Sequence, residues 1–162
     1  MTRKYARTAC AIVSDQAVNP ATFELQMHVF ERLTQQPSPR ADLGVIITDS
    51  IELAGLPDGT YPGHSQIPHN QTKTGSRVTI ESTETLIGGC AALDECVRNA
   101  MQWSGCGVAE AVRCVTENIA DFMGEQSRGR LEIGRRADFV LLDNGANVLQ
   151  TWIGGKKVWS KG

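Results

Sequence analysis

The stretch Leu43-Gly44-Val45-Ile46-Ile47-Thr48-Asp49 decides the fold. Its uncharged, partly β-branched run suits a strand buried on both faces, as in a parallel sheet covered by helices. Asp49 ends that strand at its carboxyl side.

Reading upstream, Asn19-Pro20 is a helix start, because asparagine caps orphan amides and proline is tolerated at the first helical position. Phe23, Met27 and Phe30 recur at helical spacing, widened by Leu25, Val29 and Leu33, until Pro37 and Pro39 stop the run. A helix over 20–36 is predicted, with His28 on its face. Before it, Ala9 to Val13 is short, apolar and β-compatible and runs into the turn-like Ser14-Asp15-Gln16. Strand, helix, strand is a βα pattern, and in such folds ligands gather where strands end at their carboxyl side. Asp49 is therefore the first candidate for chemistry, against the plainer reading of a strand-end turn residue or helix cap.

Reading downstream, 54–85 is rich in Gly, Pro, Thr and Ser, with alternation at Arg77-Val78-Thr79-Ile80; a long loop with a small hairpin is expected. Leu93, Cys96, Val97, Ala100 and Met101 form a helical stripe ending near Gly105. Val108, Ala111, Val112, Val115, Ile119 and Phe122 form a second, ending near Gly124. The tail reads as strands at Phe139 to Leu142, Val148 to Ile153 and Lys156 to Trp159, the last two joined by the hairpin signal Gly154-Gly155.

With 162 residues, 41% of them hydrophobic, the chain can build one ordinary globular core. Sixteen basic against eighteen acidic residues leave a net charge of −2, which gives no reason to expect a nucleic-acid or membrane partner. No apolar run reaches the roughly 18 residues of a membrane helix, and the N-terminus lacks the apolar stretch of a signal peptide, so a cytoplasmic protein is expected. Cys10, Cys90, Cys96, Cys106 and Cys114 form no C-x-x-C pair, so buried free thiols are expected rather than a zinc or redox motif. His64 and His69 lie in a Gly/Pro-rich loop, lack a nearby carboxylate ligand and read as surface residues. Asp58, followed by Gly59, reads as a turn residue.

Three stretches together resemble N-acetylglucosamine-6-phosphate deacetylases of the amidohydrolase superfamily: Ile47-Thr48-Asp49-Ser50 followed by AGLPDGTY from Ala54, LIGGCAALDECVRN from Leu86, and RGRLEIGRRADFVLLD from Arg128. The resemblance runs from about Asn19 to Trp159 and corresponds to the last part of the family's longer chain. It implies an α/β fold: the C-terminal portion of a TIM (β/α)8 barrel, plus terminal strands of a small β-sandwich. On that reading, 1–125 is a partial barrel domain with the last two barrel strands, an inserted hairpin and the final helices. Residues 126–162 are then sandwich strands. A whole barrel takes roughly 250 residues, more than this chain supplies.

The resemblance also implies hydrolysis of N-acetylglucosamine 6-phosphate to glucosamine 6-phosphate and acetate, with Asp49 as the catalytic aspartate that takes a proton from water and delivers it to the leaving nitrogen. In the family a divalent metal, zinc or iron, is held by a glutamate and two histidines on earlier barrel strands. None of those motifs is in this sequence, so tight metal binding by this chain alone is not expected. The longer family chain leaves homodimerisation open. Two departures stand out: Ala17 takes the place of a substrate-contacting histidine, and Ile87-Gly88-Gly89 replaces an Ala-Gly-Ser step. The competing reading is an inactive truncated fragment, pseudoenzyme or interaction module. A different amidohydrolase, dihydroorotase-like or imidazolone-type, would fit the tail but not AGLPDGTY.

Overall fold

In the computed structural model, residues 10–13 and 44–162 are described, the former only as a strand and its pairing. The helix expected over 20–36, His28 and Ala17 lie outside the described residues. β1 (Cys10–Val13) pairs in parallel with β2 (Gly44–Ile47), in the register Cys10 with Gly44 through Val13 with Ile47.

The segment after β2 builds more than a hairpin. β3 (Gly59–Tyr61), β4 (Gln71–Thr74), β5 (Arg77–Ile80) and β6 (Leu86–Gly89) form an antiparallel sheet in chain order. Alternation is present in β4, where Gln71 and Lys73 are buried while Thr74 is exposed. Its inward residues are polar, which hides the strand from a hydrophobic-period reading. Fully buried Val78 on β5 supplies the apolar centre.

Three helices follow. α1 (Leu93–Ser104) ends where Gly105, at φ +72°, returns its amide to the Met101 carbonyl. A left-handed residue is needed there, and glycine takes that conformation without a Cβ penalty. α2 (Val108–Val115) starts with the Glu110 carboxylate accepting the Gly107 amide at 2.7 Å. The apolar period predicts one helix from Val108 to Phe122, but Thr116 breaks it and α3 (Glu117–Met123) begins afresh. The Thr116 hydroxyl donates to the Val112 carbonyl at 2.8 Å, back-bonding of the kind that bends helices.

These helices pack on β2. Ile46 meets Ala91, Cys96, Val97, Ala100, Ala111, Cys114 and Ala146 in one cluster, and the small side chains allow close approach. Asn118 on α3, itself buried, donates to the Gly44 carbonyl at 2.7 Å and pins the helix to the start of β2. Of the four cysteines with described side chains, Cys96 and Cys114 are buried. Burial pushes the Cys114 thiol up to about 11.

The chain closes with β7 (Phe139–Leu142), β8 (Val148–Ile153) and β9 (Lys156–Ser160), an antiparallel sheet in that order. Gly154 and Gly155 both have positive φ, the requirement of the tight turn their sequence signals. The two aspartates flanking β7 are structural. Asp138 Oδ1 accepts the Gly154 amide at 2.7 Å, and Asp143 Oδ1 accepts the amides of Gly145 and Asn147, each at 2.9 Å. The preceding RGR segment lies against α3, where Arg130 pairs with Glu117 and Asp121. The described strands do not close a barrel, and no described helix is long and apolar enough to cross a membrane.

Candidate functional site

Asp49 follows the last residues of β2 and is exposed. Its φ is +49°, a left-handed conformation that aspartate adopts more readily than most side chains. The backbone turns there, so that Ser50 and Ile51 leave the line of β2 and meet the end of β6. Ser50 forms a parallel bridge with Gly89, and the Ile51 amide donates to the Gly89 carbonyl at 2.9 Å. Asp49 thus sits at the mouth of a buried strand, held from behind by a second segment. A carboxylate so placed can take a proton from one reacting atom and return it to another.

Three residues beyond Asp49, Glu52 opens a polar cluster. Glu52 Oε1 accepts from His64 Nε2 at 3.2 Å and from Gln71 Nε2 at 3.4 Å. His64 Nδ1 in turn accepts the Gln66 amide at 3.3 Å, which places the ring proton on Nε2 facing Glu52. A hydrogen bond from its own backbone amide, then Gln71 and His64, hold the Glu52 carboxyl below the usual carboxylate range. This corrects the expectation that His64 has no carboxylate nearby. Glu52 and His64 are far enough apart in sequence that only folding the insert sheet onto the Asp49 turn brings them together. His69 is exposed, as expected.

Asp58 is not chemical in this geometry. Its carboxylate accepts the Gly75 amide at 2.9 Å and pairs with Lys73 at 3.1 Å, tying β3 to the β4–β5 turn. Those bonds, the Gly75 amide first, hold its carboxyl below the usual range. In the same β4–β5 turn the buried Ser76 hydroxyl meets Glu95 on α1 at 2.7 Å. The insert is therefore fastened both to the Asp49 turn and to α1.

Among the described residues, no group of three histidine, cysteine, aspartate or glutamate side chains could hold a metal ion. The described residues do not fit a metal by themselves.

Comparison with known proteins gives a consistent result. The model of the amidohydrolase family matches residues 61–158. The chain is 37% identical over 119 residues to the N-acetylglucosamine-6-phosphate deacetylase of Danio rerio, covering 72% of this chain and 28% of that protein. It is 35% identical over 117 residues to the human protein of the same name, covering 71% of this chain and 28% of the other. The crystal structure of the Thermotoga maritima protein of that name superposes with a TM-score of 0.74 at 27% identity, covering 94% of this chain and 39% of that one. The chain thus spans less than a third of these two curated relatives. The family and its solved neighbours imply a TIM-barrel-type hydrolase fold. The family is generally metal-dependent.

Proposed function

The chain belongs to the amidohydrolase family, and from that premise we propose that it is the C-terminal part of an N-acetylglucosamine-6-phosphate deacetylase. In this reading β1 and β2 are the last two strands of the barrel and β7 to β9 are sandwich strands, with the boundary near residue 125. The observation that carries the proposal is the coincidence of two independent facts. Most of the chain superposes on a deacetylase of known structure, and an exposed carboxylate, Asp49, stands at the carboxyl end of the strand pair where that fold class does its chemistry.

The chemistry follows from the bond to be broken. Water attacks the acetamide carbonyl carbon and gives its proton to Asp49. The carbon–nitrogen bond then breaks as Asp49 returns the proton to the amine, leaving acetate and glucosamine 6-phosphate. The glutamate and two histidines that would hold zinc or iron belong to the preceding part of such a chain. Cytoplasmic location and a small amino-sugar phosphate as the partner belong to the same proposal, as does weaker substrate binding from Ala17.

The test is direct. The full-length protein, incubated with N-acetylglucosamine 6-phosphate, is expected to release acetate and glucosamine 6-phosphate in equal amounts. Hydrolysis of a cyclic amide such as dihydroorotate, with no acetate from the sugar phosphate, would contradict the proposal.

A further inference from the structure

We propose that Ser50 is a positioning residue for Asp49, and that with Gly88 it forms a clasp holding the aspartate in its left-handed conformation. This rests on the role given to Asp49 above.

Asp49 has φ +49°, a conformation that costs a non-glycine residue energy and persists only where its surroundings over-determine it. The surroundings are visible on the C-terminal side of the turn. The Ser50 amide leaves the β2 ladder and donates to Thr48 Oγ1 at 3.3 Å, closing a small ring around Asp49. The Ser50 hydroxyl, part-buried, donates to the Ala91 carbonyl at 2.7 Å. One residue on, the Ile51 amide donates to the Gly89 carbonyl at 2.9 Å. Ser50 and Ile51 are thereby fixed to the segment 89–91 by one side-chain and one backbone bond.

Gly88 makes room for this. A Cβ added there would lie 2.6 Å from Ile51 Cγ2, closer than real Cβ contacts come, and 3.0 Å from Ile51 Cδ1. Any larger residue at 88 must displace the Ile51 side chain, and Ile51 is two residues from Asp49. Gly89 is shared by two partners, since it also pairs with Arg77 across β5 and β6. The sheet that carries Gly89 is anchored to α1 through Ser76 and Glu95. The clasp therefore refers the backbone at Asp49 to the α1–insert unit as well as to its own strand. Without the Ser50 hydroxyl, Asp49 keeps its identity but loses the constraint on its direction, and misplacement by about 1 Å can cost on the order of a hundredfold in rate.

The experiment compares Ser50→Ala, Ser50→Thr and Gly88→Ala in the full-length protein. Steady-state kinetics with N-acetylglucosamine 6-phosphate are read beside hydrogen exchange at the Ile51 amide. Ser50→Ala is expected to lower kcat about tenfold with KM within about twofold, and to speed Ile51 exchange about fivefold, the scale of one lost hydrogen bond. Ser50→Thr, which keeps the hydroxyl, is expected to recover most of kcat, and Gly88→Ala to follow Ser50→Ala. Faster exchange with unchanged kcat would overturn the positioning role and leave a purely structural bond. A loss of kcat that Ser50→Thr does not recover would overturn it as well. If the wild-type protein releases no acetate, the deacetylase reading is what fails; the exchange arm then still decides the clasp, which unchanged Ile51 exchange in Ser50→Ala overturns.

Discussion

Replacing Gly129 with alanine tests how closely the RGR segment approaches α3, and the structure supplies its own control. Gly129 has φ +87°, and a Cβ there would lie 2.3 Å from the Ala120 Cβ and 3.2 Å from the Thr116 carbonyl oxygen. Gly134 has nearly the same φ, +89°, but nothing within 4 Å of an added Cβ. Placing alanine in the left-handed region costs roughly 1–2 kcal/mol at either site. Forcing a methyl into a packed contact adds roughly 1–3 kcal/mol at Gly129 alone. Urea unfolding of the full-length protein should therefore show Gly129→Ala about 2–5 kcal/mol less stable and Gly134→Ala about 1–2 kcal/mol less stable. Adding Ala120→Gly to Gly129→Ala removes the tighter overlap and should recover part of the loss, less the cost of about 1 kcal/mol for glycine in a helix. Equal losses at Gly129 and Gly134 would refute the close approach, and with it the account of why this segment carries glycine between two arginines.

Asn118→Leu should cost about 1–3 kcal/mol, because it leaves the Gly44 carbonyl at the head of β2 without its 2.7 Å donor; urea unfolding unchanged from wild type would deny that the bond matters. Glu125 is held down to about 2, first by the Ser127 hydroxyl, then by the Ser127 amide and Arg128. Its folded value lies below its unfolded value, so the stabilisation it gives is full above about pH 4.5 and is lost as the pH falls towards about 2. A carbon-13 titration of its carboxyl should show that depressed midpoint, and Glu125→Gln should flatten the acid limb of the stability curve; a midpoint near 4.5 would contradict the geometry.

Much of the fold was legible where local chemistry and tertiary role agree. Gly105 and Gly124 end helices where the sequence places them, because only glycine turns left-handed there freely. Gly154-Gly155 marks its hairpin for the same reason. The insert was under-read because polar Gln71 and Lys73 occupy the inward positions of β4, where they meet Glu52 and Asp58, so the strand shows no apolar period. The break at Thr116 was hidden because Ile119 and Phe122 continue the apolar period across it. Asp49 could be found as the end of a buried strand, since that needs only local pattern. The Glu52–His64 pair and the close approach at Gly88 could not, because both depend on how the insert folds back over the turn.

The central claim is that Asp49 carries the proton between water and the leaving amine, and kcat of Asp49→Asn in the full-length protein tests it most directly. Asparagine tolerates the left-handed backbone of residue 49, so the turn should persist, and hydrogen exchange at Ile51 should match wild type. Removing a general acid and base should lower kcat for N-acetylglucosamine 6-phosphate by about two to four orders of magnitude. A variant that keeps its fold and turns over within about threefold of wild type, a difference well short of that loss, would contradict the assignment of Asp49.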